Sequence, residues 1–229
     1  GGWAGNDSVS TLEATYFAVA ALARWNATPV HVERAARFAM NRLRREGFFT
    51  NQLRSEPLSE LPHLWRTYCG VRILYELGYD IPWREAIAVW TGSCQNEDGG
   101  FAGTSDVDTS SDLWNTANAV EILATLDVPP QNSTNITKYV NTLQNHDGGF
   151  SVKLGEASQL ASTCDAVRTL SIIHERPISA ITSKAAPVRN RKPSTVFRDL
   201  TPFAVYDGPT ETSGDTSRTV VWRPGIPLY

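Results

Sequence analysis

One segment constrains this chain more than any other. Gln95-Asn96-Glu97-Asp98-Gly99-Gly100-Phe101 returns 49 residues later as Gln144-Asn145-His146-Asp147-Gly148-Gly149-Phe150. A second pattern, T-x3-V-x2-L, occurs four times, as Thr15/Val19/Leu22, Thr67/Val71/Leu74, Thr116/Val120/Leu123 and Thr163/Val167/Leu170. The successive spacings are 52, 49 and 47 residues. Self-similarity at this period is the signature of a repeat array, in which each unit leaves an apolar face that only a stacked neighbour can bury.

The units read as helix hairpins. Apolar positions around each T-x3-V-x2-L segment recur at helical spacing and predict an inner helix. A breaker with proline follows, as at Pro29, Pro82 and Pro129-Pro130, and then an amphipathic outer helix. The first inner helix is expected to start at Ser10, with Glu13 completing a capping box. The second helix is expected over Val30 to Arg44. Each D-G-G-F turn is expected to need both glycines for consecutive positive-φ positions. Its Phe should plug the hairpin interface, and its Gln should cap or bridge backbone at the end of the preceding outer helix. Trp3 stands where Phe101 and Phe150 stand, so Gly2-Trp3 reads as the end of such a motif, and Gly47-Phe48-Phe49 is a degenerate version. The expected fold is all-α, with hairpins at about 1–46, 47–94, 95–143 and 144–185. The grammar fails after His174, apart from a short helix expected from Pro177 through Lys184. Residues 186–229 read as an irregular tail or lid rich in Pro, Gly, Ser and Thr.

Composition narrows the function classes. A net charge of −3 and a pI near 5.8 argue against a nucleic-acid surface. No apolar run reaches the ~18 residues of a membrane span. The first residues carry no signal-peptide pattern, and four N-x-S/T sequons, at Asn6, Asn26, Asn132 and Asn135, leave the compartment open. Cys69, Cys94 and Cys164 are an odd set without C-x-x-C spacing and read as small buried apolar residues.

The two Q-x3-G-G-F segments followed by T-x3-V-x2-L helices resemble the prenyltransferase and squalene-oxidase repeat. That repeat builds protein prenyltransferase β subunits and class II terpene cyclases such as squalene-hopene cyclase. The resemblance covers Gly1 to about His174. It implies an α/α toroid whose inner helices line an apolar cavity for isoprenoid chains. Four hairpins are fewer than the family's closed rings carry, so the expectation is a partial or open array, a fragment or a subunit completed by a protein partner.

The resemblance also implies two chemistries. The zinc-dependent transferases hold the metal with D-x-C and with the His of D-x-x-H-T-C, and present a thiolate nucleophile. Here no D-x-C occurs, and the residue before the repeat Thr is Ala14, Arg66, Asn115 or Ser162. No zinc or other cofactor is therefore expected. Class II cyclases use D-x-D-D, whose central Asp is a general acid. Asp112-Leu113-Trp114-Asn115-Thr116-Ala117 resembles that segment, with Trp114 at the acid position and Asn115 at the last Asp. Asp106-Val107-Asp108-Thr109 lies too early and reads as a loop with a helix cap. What remains is a cavity lining beside the repeat threonines: Glu13, Tyr16, Trp65, Arg66, Tyr68, Trp114, Asn115, Ser162 and Cys164. Aromatic walls suit polyene chemistry, and Arg66 suits a diphosphate. The catalytic residues stay unassigned. Two readings stay open: a terpenoid enzyme of the prenyltransferase or cyclase class, and a non-catalytic repeat module.

Overall fold

A computed structural model describes residues 1–4, 9–105 and 110–175, and the architecture is all helical there. The inner helices are α1 (Leu12–Arg24), α3 (Leu64–Glu76), α5 (Leu113–Thr125) and α7 (Leu160–Glu175). The outer helices are α2 (Val32–Met40), α4 (Arg84–Ser93) and α6 (Ser133–Thr142). The inner helices stack in sequence, α1 on α3 on α5 on α7, and each outer helix packs on the inner helix that follows it. The short helix expected at 177–184, the tail at 186–229 and the loop at 106–109 lie outside the described residues. No helix among the described residues is long and apolar enough to cross a membrane.

The repeat threonine is the pin of each unit. Its hydroxyl accepts the backbone N–H of the aromatic residue that ends the turn motif. Phe101 reaches Thr116 at 3.0 Å, Phe150 reaches Thr163 at 3.0 Å, Phe49 reaches Thr67 at 3.2 Å and Trp3 reaches Thr15 at 3.0 Å. The same hydroxyl donates back to the carbonyl four residues earlier, at 2.6 Å in Thr116 to Asp112. Valine could supply neither bond, which is why threonine sits here on an otherwise apolar flank. Trp3 therefore takes the place of the motif Phe, and the degenerate Gly47-Phe48-Phe49 turn keeps its bond to the helix.

The glycine pair works differently from the expectation. Only the first glycine is left-handed, with φ +94° at Gly99 and +83° at Gly148. The second is needed for space. A Cβ on Gly100 would lie 2.6 Å from Ser111 Cβ and 2.8 Å from the Tyr139 ring. The motif Asp folds the turn: Asp98 Oδ1 accepts from Gly100 N at 2.8 Å and from the Ser111 hydroxyl at 2.8 Å, and Asp147 repeats this with Gly149 and Ser158. The motif Gln spans the turn itself, since Gln95 Nε2 donates to Gly99 O at 3.2 Å and Gln144 Nε2 to Gly148 O at 3.1 Å. Two expected boundaries also move. Thr11, not Ser10, caps α1 by accepting from Ala14 N at 3.1 Å, while the Ser10 hydroxyl donates to Gly2 O. Helix α2 stops at Met40 because the chain turns there to pair Leu43 with Phe49.

Units are joined by one recurring bond. The first amides of α1, α3 and α5 each donate to the loop two residues past the next unit's motif aromatic. Leu12 N reaches Asn51 Oδ1 at 2.8 Å, Leu64 N reaches Gly103 O at 2.8 Å and Leu113 N reaches Val152 O at 3.0 Å. These leucines are fully buried, as are Val71 and Val120 of the repeat pattern. One continuous core results.

Candidate functional site

Superposing the units on their threonines reveals a stripe with three tiers, two residues before, one residue after and five residues after each Thr. Spacings of three and four place these positions on one helical face. The upper tier is Glu13, Trp65, Trp114 and Ala161. The middle tier is Tyr16, Tyr68, Ala117 and Cys164. The lower tier is Ala20, Arg72, Glu121 and Arg168.

The upper and middle tiers form one aromatic cluster. Trp65 stacks on Tyr68 with centroids 5.5 Å apart, Trp114 lies 5.3 Å from Trp65, and Tyr16 meets Tyr68 edge-on at 5.3 Å. Phe17 joins from α1, 5.9 Å from Trp65, and His63 sits 6.2 Å from Trp114. Phe17 and Trp114 stay 45% and 38% exposed, so this aromatic surface is open at its edge. Beneath it the hydroxyls of Tyr16 and Tyr68 share a hydrogen bond of 3.1 Å. Burial, reinforced by Glu121, pushes the Tyr16 phenol up to about 12 and Tyr68 well above its ordinary value. Both therefore stay neutral.

The lower tier is an ion ladder across three helices. Glu121, fully buried, meets Arg72 at 3.4 Å and Arg168 at 2.8 Å. Arg72 also pairs with Glu76, and Arg168 with Asp165 at 2.8 Å. Burial alone would lower both guanidiniums, but Glu121 carries them above their ordinary values. Asp165 goes the other way: burial, with Glu121 and Asp112 nearby, raises its carboxyl to about 6 despite Arg168. None of Glu121, Arg72, Arg168 and Asp165 was among the lining candidates, although a plus, minus, plus alternation at one register position is readable in the sequence.

Of those candidates, Tyr16, Trp65, Tyr68 and Trp114 come together. Arg66 flanks the cluster with its side chain 30% exposed, and it is held by Glu13 at 3.3 Å and more loosely by Glu60 at 3.9 Å. An incoming anion must displace those carboxylates. Asn115 and Ser162 are buried, and Asn115 Nδ2 donates to Asp112 at 2.7 Å. Cys164 is half-buried in the register of the two tyrosines.

Among the described residues, no three His, Cys, Asp or Glu side chains are grouped as metal ligands. His63 Nδ1 accepts the Trp65 N–H at 3.1 Å as a helix cap. Burial pushes the Cys69 thiol up, away from the thiolate a metal needs. Trp114 is the residue that the resemblance aligns with the cyclase acid, and the neighbouring Asp112 accepts from the Asn115 backbone N–H and Nδ2.

The profile of the Prenyltransferase alpha-alpha toroid domain matches residues 4–196. The chain belongs to that family. Among solved structures it is similar to Candida albicans protein geranylgeranyltransferase-I complexed with GGPP, at 19% identity and a TM-score of 0.59. That likeness covers 72% of this chain and 50% of the other, so this chain spans about half the length of that one and the likeness concerns the fold. No curated protein matches the sequence. This member of the toroid family combines the turn, the threonine pin and the stacked inner row with an aromatic and ionic face on that row.

Proposed function

We propose that this toroid array binds an isoprenoid or another long apolar ligand on its inner aromatic face, without the family's zinc or D-x-D-D site. The observation that carries the reading is the open Phe17–Trp65–Trp114 edge, continuous with the buried Tyr16–Tyr68 pair. Large aromatic side chains left accessible on the inner row offer polarisable contact to a polyene at little entropic cost. The geranylgeranyltransferase-I neighbour, solved with GGPP, supports the ligand class. Arg66, beside Trp65, is the group suited to an anionic end. With Trp114 in the acid position, binding without turnover is the favoured form of the proposal.

The test is tryptophan fluorescence on titration with farnesyl diphosphate, geranylgeranyl diphosphate and farnesol. Saturable quenching that is lost in Trp65→Phe/Trp114→Phe is expected. Arg66→Gln should weaken the diphosphates roughly tenfold and leave farnesol unchanged. Absence of saturable quenching in the folded wild type overturns the reading. Product formed from either diphosphate would replace binding with catalysis.

A further inference from the structure

Two polar side chains beside the aromatic face keep hydrogen-bonding capacity that the fold does not use. His63 caps α3 through Nδ1, which accepts the Trp65 N–H at 3.1 Å. A nitrogen that accepts carries no proton, so the neutral ring holds its proton on Nε2, as a donor. Burial, aided by Arg66, holds the His63 pKa below the ordinary histidine value against the opposing pull of Asp112 and Glu13. The neutral form is therefore favoured. Among the described residues Nε2 makes no hydrogen bond.

Asn115, only 5% exposed, supplies the complementary atom. Its backbone N–H and its Nδ2 both donate to Asp112, at 2.7 Å each. With Nδ2 held on the carboxylate, Oδ1 is the end of the amide turned from Asp112, and it is buried without a donor. Native folds keep few such orphaned acceptors, because each one costs stability. Gly103 brings the two side chains together. A Cβ there would lie 2.7 Å from His63 Nε2 and 3.3 Å from Asn115 Nδ2, so only glycine leaves that space. The His63 ring lies 6.2 Å from Trp114, and this donor–acceptor notch adjoins the aromatic surface.

We infer that the notch receives the hydroxyl group of a ligand whose apolar body lies on the aromatic face, which makes a long-chain alcohol the ligand class. The inference deepens the ligand reading above and rests on it. A hydroxyl matches both halves of the notch: its oxygen accepts from His63 Nε2–H, and its proton goes to Asn115 Oδ1. An ether or a carbonyl engages the His63 half alone, and an ammonium group the Asn115 half alone. A diphosphate would bring negative charge against Asn115 Oδ1 and the Asp112 carboxylate, with one neutral donor in return. The notch and Arg66 thus select different polar ends, an alcohol at the first and an anion at the second.

The test compares farnesol, farnesyl methyl ether and the hydrocarbon farnesene by tryptophan quenching. Farnesol should bind roughly tenfold more tightly than either analogue. His63→Asn keeps an acceptor for the α3 cap and removes the Nε2 donor. It should bring farnesol down to about the affinity of farnesene and leave farnesene unchanged, whereas a purely structural role for His63 would weaken both equally. The wild-type series decides the matter alone if that variant fails to show a normal thermal melt. Equal affinity of the wild type for all three compounds, or an equal loss for farnesol and farnesene in folded His63→Asn, overturns the inference and leaves the apolar-ligand reading standing. Absence of saturable quenching by any of the three overturns both.

Discussion

The ion ladder gives the sharpest perturbation. Glu121 is 1% exposed and is the shared partner of Arg72 and Arg168. Glu121→Gln keeps the shape and removes the charge. Breaking a buried pair on one side costs about 3–5 kcal/mol, because the remaining charge stays buried. Arg72 retains Glu76 and Arg168 retains Asp165, which places the expected loss near the lower figure, about 3 kcal/mol. The pH dependence makes the argument specific. The Asp165 carboxyl, raised to about 6, holds a proton in the fold that the unfolded chain has lost between about pH 4 and 6. Wild-type stability from this group is therefore full below about pH 4 and declines as pH rises to about 6. Glu121 is one of the groups raising Asp165, so Glu121→Gln lowers that carboxyl and flattens the decline. The variant should trail the wild type by more at pH 5 than at pH 7.5, by about 1 kcal/mol. Urea unfolding followed at 222 nm at the two pH values reads both quantities. A loss below about 1 kcal/mol at pH 5, with no pH trend, refutes a dry, coupled ladder.

Three further outcomes follow from the same structure. Asp165→Asn should abolish the part of the pH decline assigned to that carboxyl, up to about 3 kcal/mol between pH 4 and 7, visible as a flatter stability-versus-pH curve than wild type. Thr116→Val should cost about 1–3 kcal/mol by leaving the buried Phe101 N–H without its acceptor, and Thr116→Ser should recover most of it, both read from urea midpoints. Gly100→Ala should cost about 2–3 kcal/mol through overpacking against Ser111 and Tyr139. Gly148→Ala, with open space around it but φ +83°, should cost only about 1–2 kcal/mol, and thermal melts of the pair separate crowding from backbone strain.

Much of this fold was legible from periodicity. The valines and leucines of T-x3-V-x2-L mark core positions, filled most completely in α3 and α5, where Val71, Leu74, Val120 and Leu123 are buried. The role of the threonine was harder to read. Its partner is a backbone N–H some 12 to 18 residues upstream, and no residue identity reports it. The glycine pair misled for a related reason: sequence shows two small residues, and only the packed turn shows that one answers to φ and the other to a neighbouring side chain. The site divides in the same way. Tyr16, Trp65, Tyr68 and Trp114 are found by position beside the threonine. Arg72, Glu121 and Arg168 emerge only when four units are aligned and one register is read across them, because opposite charges on separate helices carry meaning only as neighbours.

The amides that open α1, α3 and α5 are each held by the following unit, so none of these three units is completed by its own residues. The chain therefore has a natural quantum of length. Joining Thr67 directly to Ala117 removes one period, residues 68–116, and hands each surviving donor an acceptor of the same kind, since Leu64 N would find Val152 O as Leu113 N now does. A cut of half that size would strand a threonine from its aromatic partner and an opening amide from its loop. Arrays of this type can gain or lose whole periods while the bond pattern survives, and the number of hairpins becomes a separately adjustable property from the structure of each one.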